Sequence, residues 1–436
     1  MASLFPREEH AEALFHRILS NPGAEQQLYE TFCMEQENAS FEDGGGAECS
    51  FAKALLQAYE NRDISALTIA LCNNTMFDLL RTAYLIPYRF HGKNGVNTSK
   101  LNRLEQFVAE FADICSRMTG EQLHTHLDEI EQVHGLYSPL MLGLAAALAC
   151  GAFTFLLGGG WVEMILAFFG AGIGNAVRCK LSKHHLTLVL CTTVSVAAAC
   201  LVYAGCLKIA EMTCGINVQH EAGYICSMLF IIPGFPFITS GIDMAKLDMR
   251  SGLERLSYAV MIVLIATMAA WLMALALHLK PVDFLPLNLS MLQYIVFRLL
   301  ASFCGVFGFS IMFNSPVPLA MSAAVIGAIS NTLRLELVDL ASLPPAAAAF
   351  FAAMIAGLLA SAYKKHSGFP RIAITVPSIV IMVPGLYLYR AIYNLGMMNL
   401  SISASWFASA TLIILALPLG LIFARIMTDK MFRYCT

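Results

Sequence analysis

From Ser138 onward the chain alternates long apolar runs with short polar ones, whereas Met1 to Val133 mixes polar, charged and apolar positions more evenly. The apolar part resolves into about ten runs of near 20 residues, the length a helix needs to cross a hydrocarbon core. They fall at approximately 138–157, 161–178, 186–207, 222–240, 255–278, 291–313, 317–334, 345–363, 371–393 and 403–425. Before them, Leu104, Phe107, Phe111, Ile114 and Met118 recur at helical spacing and predict an amphipathic helix that Thr119-Gly120 stops. A second follows through Leu123, Leu127, Ile130 and Val133. Residues 1 to about 100 read as short helices with polar breaks. Among them are the link "FEDGGGAECS" and an apolar stretch, "DISALTIALCNNTMFDLLRTAYLIPYRF", ending just past Pro87.

Two of the ten runs are interrupted. "LFIIPGFPFITSGID" carries Pro233-Gly234 and "IVIMVPGLYLYRAIYN" carries Pro384-Gly385, each well inside apolar sequence. Proline removes an amide donor and clashes with the preceding turn, and glycine relaxes the backbone further. Every backbone polar group in hydrocarbon needs a partner, so the carbonyls freed near Leu229-Phe230 and Val380-Ile381 must meet protein, water or a ligand. Beyond each break a new half-helix begins with unpaired amides and a partial positive charge. Such pairs bind carboxylates in secondary transporters, with carbonyls or a nearby acid taking an ammonium. A packing kink is the alternative for one break, but two in similar settings favour a site.

The breaks also mark a repeat. "FLLGGGWVEMILAFFGAGIGNAVR" aligns with "IMFNSPVPLAMSAAVIGAISNTLR", matching Asn175 to Asn331 and Arg178 to Arg334, and the two Pro-Gly segments align in the same order. Five spans per unit is odd, so the second unit enters from the opposite face and the pair is inverted.

Composition narrows the class. Of 436 residues 58% are hydrophobic and 13% charged, and the mean hydropathy is +0.66. Soluble domains carry about 25% charged residues, so the chain is polytopic. A net charge of −3 with no clustered basic face argues against nucleic acid. "MASLFPREEHAEALFHR" has acids where a signal peptide would be apolar, which places the amino-terminal region in the cytoplasm. With that start, about twelve Lys and Arg fall on cytoplasmic loops and the carboxyl tail, against about four (Lys208, Lys280, Arg334 and Arg390) on the other side. Both termini are therefore expected in the cytoplasm. The thirteen cysteines include no C-x-x-C pair, and Cys206 and Cys214 flank a short polar loop that leaves a disulfide open. His124, His126 and His134 lack zinc-site spacing.

Several polar residues are candidates for chemistry. Asp243 lies past the first break, either as a loop or capping acid or as a proton-coupling carboxylate, with no obvious second carboxylate facing it from another span. Glu163 follows Gly158, Gly159 and Trp161 and is placed to line an entrance, a second proton-coupling candidate. Arg298, inside the sixth run, needs a partner or a water-filled cavity, and Arg390 follows the second break. Tyr387 and Tyr389 offer hydroxyls beside Pro384-Gly385.

"LDEIEQVHGLYSPLMLGLAAALACGAFTFLLGGGW", "IIPGFPFITSGIDMAKLDMRSGLERL" and "MVPGLYLYRAIYNLG" resemble the bacterial threonine/serine exporter family, over roughly Leu101 to Thr428. The most specific matches are Pro233-Gly234 with Asp243, Ser251-Gly252 and Arg255, then Phe313-Asn314 with Pro316, and Pro384-Gly385. Phe235-Pro236 and "LLGGGW" depart mildly from the family pattern. The resemblance implies an all-α protein of two fused membrane halves, exporting small hydroxy-amino acids in exchange for protons. On that reading Pro233, Gly234, Phe235, Asn314, Pro384, Gly385, Tyr387 and Tyr389 bind substrate, and Asp243 and Glu163 handle protons. Gly158, Gly159, Asn175, Asn331, Gly252, Arg255, Arg298 and Arg390 gate or support the site. The expected organisation is an amino-terminal cytoplasmic region to residue 100, amphipathic helices over 101–137, and membrane repeats over 138–282 and 289–428. Neither metal, organic cofactor nor enzyme activity is implied. The partners are a small substrate, protons and membrane lipid, with self-association left open. Export of small carboxylates is the main rival; a membrane sensor and an intramembrane aspartyl protease, which needs two facing carboxylates, are remote ones.

Overall fold

The computed structural model divides after Gly95 into two units, and the second is described here: residues 96–114, 120–133, 135–184, 186–215, 220–367 and 369–434. The apolar stretch ending near Pro87 and the glycine-rich link lie outside the described residues, as do Met118 and the side chain of Cys214. Cys206 is a free thiol.

The amphipathic pair forms as helices α1 (Thr98–Ile114) and α2 (Gly120–Glu131). Phe107 is their common buried point, with its ring against Phe111 and His126. Membrane-length helices follow: α3 (Pro139–Leu156), α4 (Trp161–Lys183) and α5 (Leu188–Cys214). Two short pieces, α6 (Gly223–Ser227) and a 3-10 turn (Leu229–Ile231), then lead into α7 (Gly234–Ala245). Next come α8 (Met249–Leu277), α9 (Met291–Met312), α10 (Val317–Asp339) and α11 (Pro345–Ser367). The chain closes with α12 (Arg371–Val380), α13 (Gly385–Gly396), α14 (Leu400–Thr428) and α15 (Lys430–Tyr434). Among the described residues eight helices are long and apolar enough to cross a membrane, and ten spans result if each bent pair counts as one. The bent pairs are Gly223–Ile231 with Gly234–Ala245, at 56°, and Arg371–Val380 with Gly385–Gly396, at 50°.

Each expected run has a helical counterpart, but several helices overrun it. α5 continues past 207 to Cys214, α8 begins before 255 at Met249, and α10 continues past 334 to Asp339. Hydropathy marks only the apolar part of a helix; its polar end turns keep their internal hydrogen bonds outside the hydrocarbon. Caps set several starts. Ser138 accepts from Met141 N, Thr187 from Leu190 N and Asp248 from Ser251 N, and Ser290 and Gln293 cap each other.

Small residues set the helix spacing, as membrane bundles require when apolar burial gives no preference for protein over lipid. A Cβ at Gly308 would come within 2.5 Å of the Ala145 carbonyl, and one at Gly420 would collide with the Phe350 carbonyl. Along α11, Ala349, Ala352, Ala353, Ala356 and Ala360 are fully buried and form an alanine face that lets α14 approach closely.

Candidate functional site

The two Pro-Gly breaks adopt the same backbone geometry. Pro233 has φ −81°, ψ 65° and Pro384 has φ −81°, ψ 57°, both close to an inverse γ-turn. Each turn is closed by a short hydrogen bond across the proline, from Gly234 N to Ile232 O and from Gly385 N to Val383 O, both 2.8 Å. Leu229 O accepts from Ile232 N, and Val380 O from Val383 N, at 3.1 Å each. Two of the carbonyls expected to be free, those of Leu229 and Val380, therefore turn back on their own loops. After each turn the half-helix restarts with Phe237 N bonded to Pro233 O and Leu388 N to Pro384 O.

The breaks pack against each other reciprocally. A Cβ on Gly234 would meet Val380 Cγ2 at 2.6 Å and Val383 Cγ2 at 3.2 Å. One on Gly385 would meet Leu229 Cδ2 at 2.8 Å and Ile232 Cγ1 at 3.3 Å. Each glycine is thus the close-contact point for the two residues that flank the other break. Between them lies a small cavity of about 30 Å³, lined by both glycines and closed by Phe153, Phe230, Phe309 and Phe313. That is room for about one or two waters, so the breaks are shut on each other in this conformation.

Other substrate candidates sit elsewhere. Phe235 packs edge-on against Phe313 with ring centroids 5.4 Å apart, outside the cavity lining. Tyr387 packs on Trp406 at 5.1 Å, and Tyr389 is fully buried with its hydroxyl 2.6 Å from that of Tyr224. The expectation that these tyrosines offer hydroxyls to the break does not hold here, because α13 turns both toward neighbouring helices. Asn314 is also drawn away. Its amide accepts from Leu136 N at 2.7 Å and donates to Asn97 at 2.9 Å, from a left-handed turn with φ 61°. Thr98 and Tyr137 bond the same turn through Phe313 and Ser315. Asn314 therefore fastens the segments before α1 and α3 to the wall of the cavity. Sequence spacing carries no sign of contacts between positions this far apart.

The proton-coupling candidates are both paired. Asp243, near the end of α7, meets Arg255 of α8 at 2.7 Å. This partner is a cation, so the facing carboxylate that an aspartyl protease needs is not what Asp243 meets. Glu163 is 1% exposed, with one carboxylate oxygen 2.7 Å from His220 Nδ1 and the other accepting from Gly160 N at 2.9 Å. It lies inside the protein instead of lining an entrance. His220, missed from the sequence, is held through its carbonyl by the Tyr203 hydroxyl.

The supporting residues hold separate parts of the bundle. Arg298 donates to Glu336 at 2.8 Å and to Asp339, and stands over Tyr294, so it is partnered instead of facing a cavity alone. Arg390 pairs with Asp283 at 2.8 Å and stacks over Trp406. Asn175 donates to Leu142 O of α3, and Asn331 to Ser302 of α9, while Arg334 donates back to Asn331. Gly158 carries φ 96°, and Cβ atoms at Gly159 and Gly252 would meet Thr154 at 2.6 Å and Met244 at 2.5 Å.

Comparison with known proteins places this arrangement. The ThrE family model, of threonine/serine exporters, matches residues 69–278, and a second model, "Threonine/Serine exporter, ThrE", matches residues 298–427. A domain of unknown function matches residues 3–133. Among curated proteins, "Probable succinate transporter subunit YjjP" of Escherichia coli is 28% identical over 141 residues, 32% of this chain and 53% of its own length. The protein of the same name from Klebsiella aerogenes is 28% identical over 143 residues, covering 32% and 53%. "Pheromone-regulated membrane protein 10" of Debaryomyces hansenii is 22% identical over 178 residues, 38% of this chain and 16% of its own. The chain thus spans about half the length of the YjjP relatives. No solved structure matches.

Proposed function

Because the chain belongs to the threonine/serine exporter family, we propose that it is a secondary active exporter of a small metabolite bearing a carboxylate, threonine or serine first. The substrate passes between the two Pro-Gly breaks, and proton movement in the opposite sense drives it. The observation that carries this reading is the reciprocal packing of Gly234 and Gly385 across a small shared cavity. A pair of matched loops that seal one cavity is the arrangement alternating access needs, since either loop can withdraw while the other holds. The two membrane halves form an inverted repeat, and the chain resides in the cell membrane with both termini in the cytoplasm.

Asp243 with Arg255, and Glu163 with His220, are the proposed proton-handling pairs, at opposite ends of the spans that hold them. A small organic acid is the second reading, favoured by the likeness to proteins named as succinate transporter subunits. Uptake of labelled threonine into inside-out vesicles tests the exporter reading, with an imposed pH gradient expected to raise accumulation and a protonophore to abolish it. Absence of both threonine and dicarboxylate uptake would sink it. Orientation is checked with single cysteines: one at Lys183 should be shielded from an impermeant thiol reagent in intact cells, and one at Lys280 should react.

A further inference from the structure

A second, much larger hollow opens at the end of the bundle where α7, α11 and α14 finish and α12 begins. Its volume is about 550 Å³, within the range of small-ligand sites. Five cations line it, Lys246, Lys364, Arg371, Arg425 and Lys430, against two acids, Glu105 and Asp429. Asp429 is engaged with Arg425 at 3.4 Å. The Arg371 guanidinium is held by the Thr428 hydroxyl at 2.9 Å and the Gly357 carbonyl at 3.2 Å, neither of which neutralises it. Lys246, Lys364 and Lys430 are exposed on the rim, while Thr375 and Leu421 are buried at the floor. Thr375 lies five residues before Val380 on the same helix, about 7.5 Å along its axis. Val380 lines the closed central cavity.

A concave, low-dielectric hollow with an excess of one charge focuses its potential inward. A zwitterion entering that field gains only a dipole's interaction. A dianion gains the attraction of both charges, and a guanidinium can meet one carboxylate through two parallel hydrogen bonds. We propose that this vestibule is a second binding site, distinct from the central cavity, for a small organic dianion, with Arg371 as its carboxylate ligand. For its purpose it rests on the organic-acid form of the exporter reading: the vestibule would gather a dianionic substrate one helical segment away from the breaks. As a binding site it stands by itself.

The test uses the full chain in nanodiscs of phosphatidylcholine, with malate as dianion and threonine as zwitterion, read by titration calorimetry without any gradient. Malate should bind saturably, and added salt should weaken it. The double variant Lys364→Gln/Lys430→Gln, on the exposed rim, should weaken malate by about tenfold, a loss matching two screened charges. Arg371→Gln should weaken it further, and Arg371→Lys should recover part of the loss. Threonine should compete poorly. Gly385→Leu, which fills the central cavity, should leave malate binding in place. The proposal is overturned if wild type binds no malate, if threonine competes equally, or if Gly385→Leu abolishes binding while the rim variant does not. It is also overturned if a modest fraction of anionic lipid displaces malate completely, because the vestibule is then a headgroup site. Malate binding with neither malate nor threonine transported in vesicles would fail the exporter reading alone; transport without vestibule binding would fail this one alone.

Discussion

The two Pro-Gly breaks share a backbone and differ in the side chains placed beyond it. Past the first, α7 ends in a turn where Asp248 N bonds Asp243 O at 3.0 Å and Leu247 is left-handed at φ 64°. Past the second, α13 ends in the same turn, with Asn399 N bonded to Asn394 O at 2.8 Å and Met398 at φ 61°. Asp243 and Asn394 therefore occupy matching places. Asp243 meets Arg255 on the next helix, whereas the amide of Asn394 turns back to the Arg390 carbonyl. A second matched pair behaves likewise: the left-handed turn after α3 is made by Gly158, and the one after α9 by Asn314, which uses its side chain to tie down two other segments. The lesson is that the loop geometry is common to both halves, while charge and tethering are assigned to one half each.

The comparison breaks first at the glycines. Gly234→Leu and Gly385→Leu each force atoms into a contact already under 3 Å, an overpacking of about 1–3 kcal/mol placed where the loops must separate. Both variants should insert normally, judged by monodispersity in detergent, and both should lose nearly all transport. If one transports normally, the breaks are not equivalent in function.

Next in size is Asp243→Asn. It removes the charge opposite Arg255, and gradient-driven accumulation should fall by about tenfold or more, allowing for the half-exposed arginine. Exchange of substrate across the membrane should persist, since it needs no net proton movement. The reciprocal change, Asn394→Asp, lies one turn from Arg390, which already pairs with Asp283, and should alter accumulation by about twofold at most. An Asp243→Asn variant that still concentrates substrate in response to a pH gradient would move the coupling role to Glu163 with His220.

The smaller effects concern the turns. Asn314→Gly keeps the left-handed backbone but loses both side-chain hydrogen bonds, about 1 kcal/mol each, and should lower the thermal midpoint accordingly. Gly158→Asn places a residue that tolerates this conformation where a Cβ meets nothing within 4 Å, and the midpoint should move by about a degree or two. Equal shifts for the two would mean that the Asn314 tether contributes nothing.

The range of each force decides how much of the molecule is legible in one dimension. The ten spans, the two breaks and the amphipathic pair are legible from local pattern, because bilayer thickness dictates run length and proline acts on its own turn. Even the matched order of the breaks is visible there. The side-chain partners are not. Tyr389 turning to Tyr224, Arg298 to Glu336 and Asp339, and Glu163 to His220 each depend on which faces of distant helices meet.

What the sequence determined alone is thus an all-α membrane chain whose two broken segments interrupt apolar runs at matched places. Only the tertiary structure decided that the breaks seal each other through Gly234 and Gly385, that Asn314 is a tether instead of a ligand, and that five cations surround one hollow. The physical reason is that hydropathy and proline chemistry act within a turn or a span. Close contact between glycines, side-chain pairing and the summed field of separated cations exist only once residues far apart in the chain share the same few ångströms.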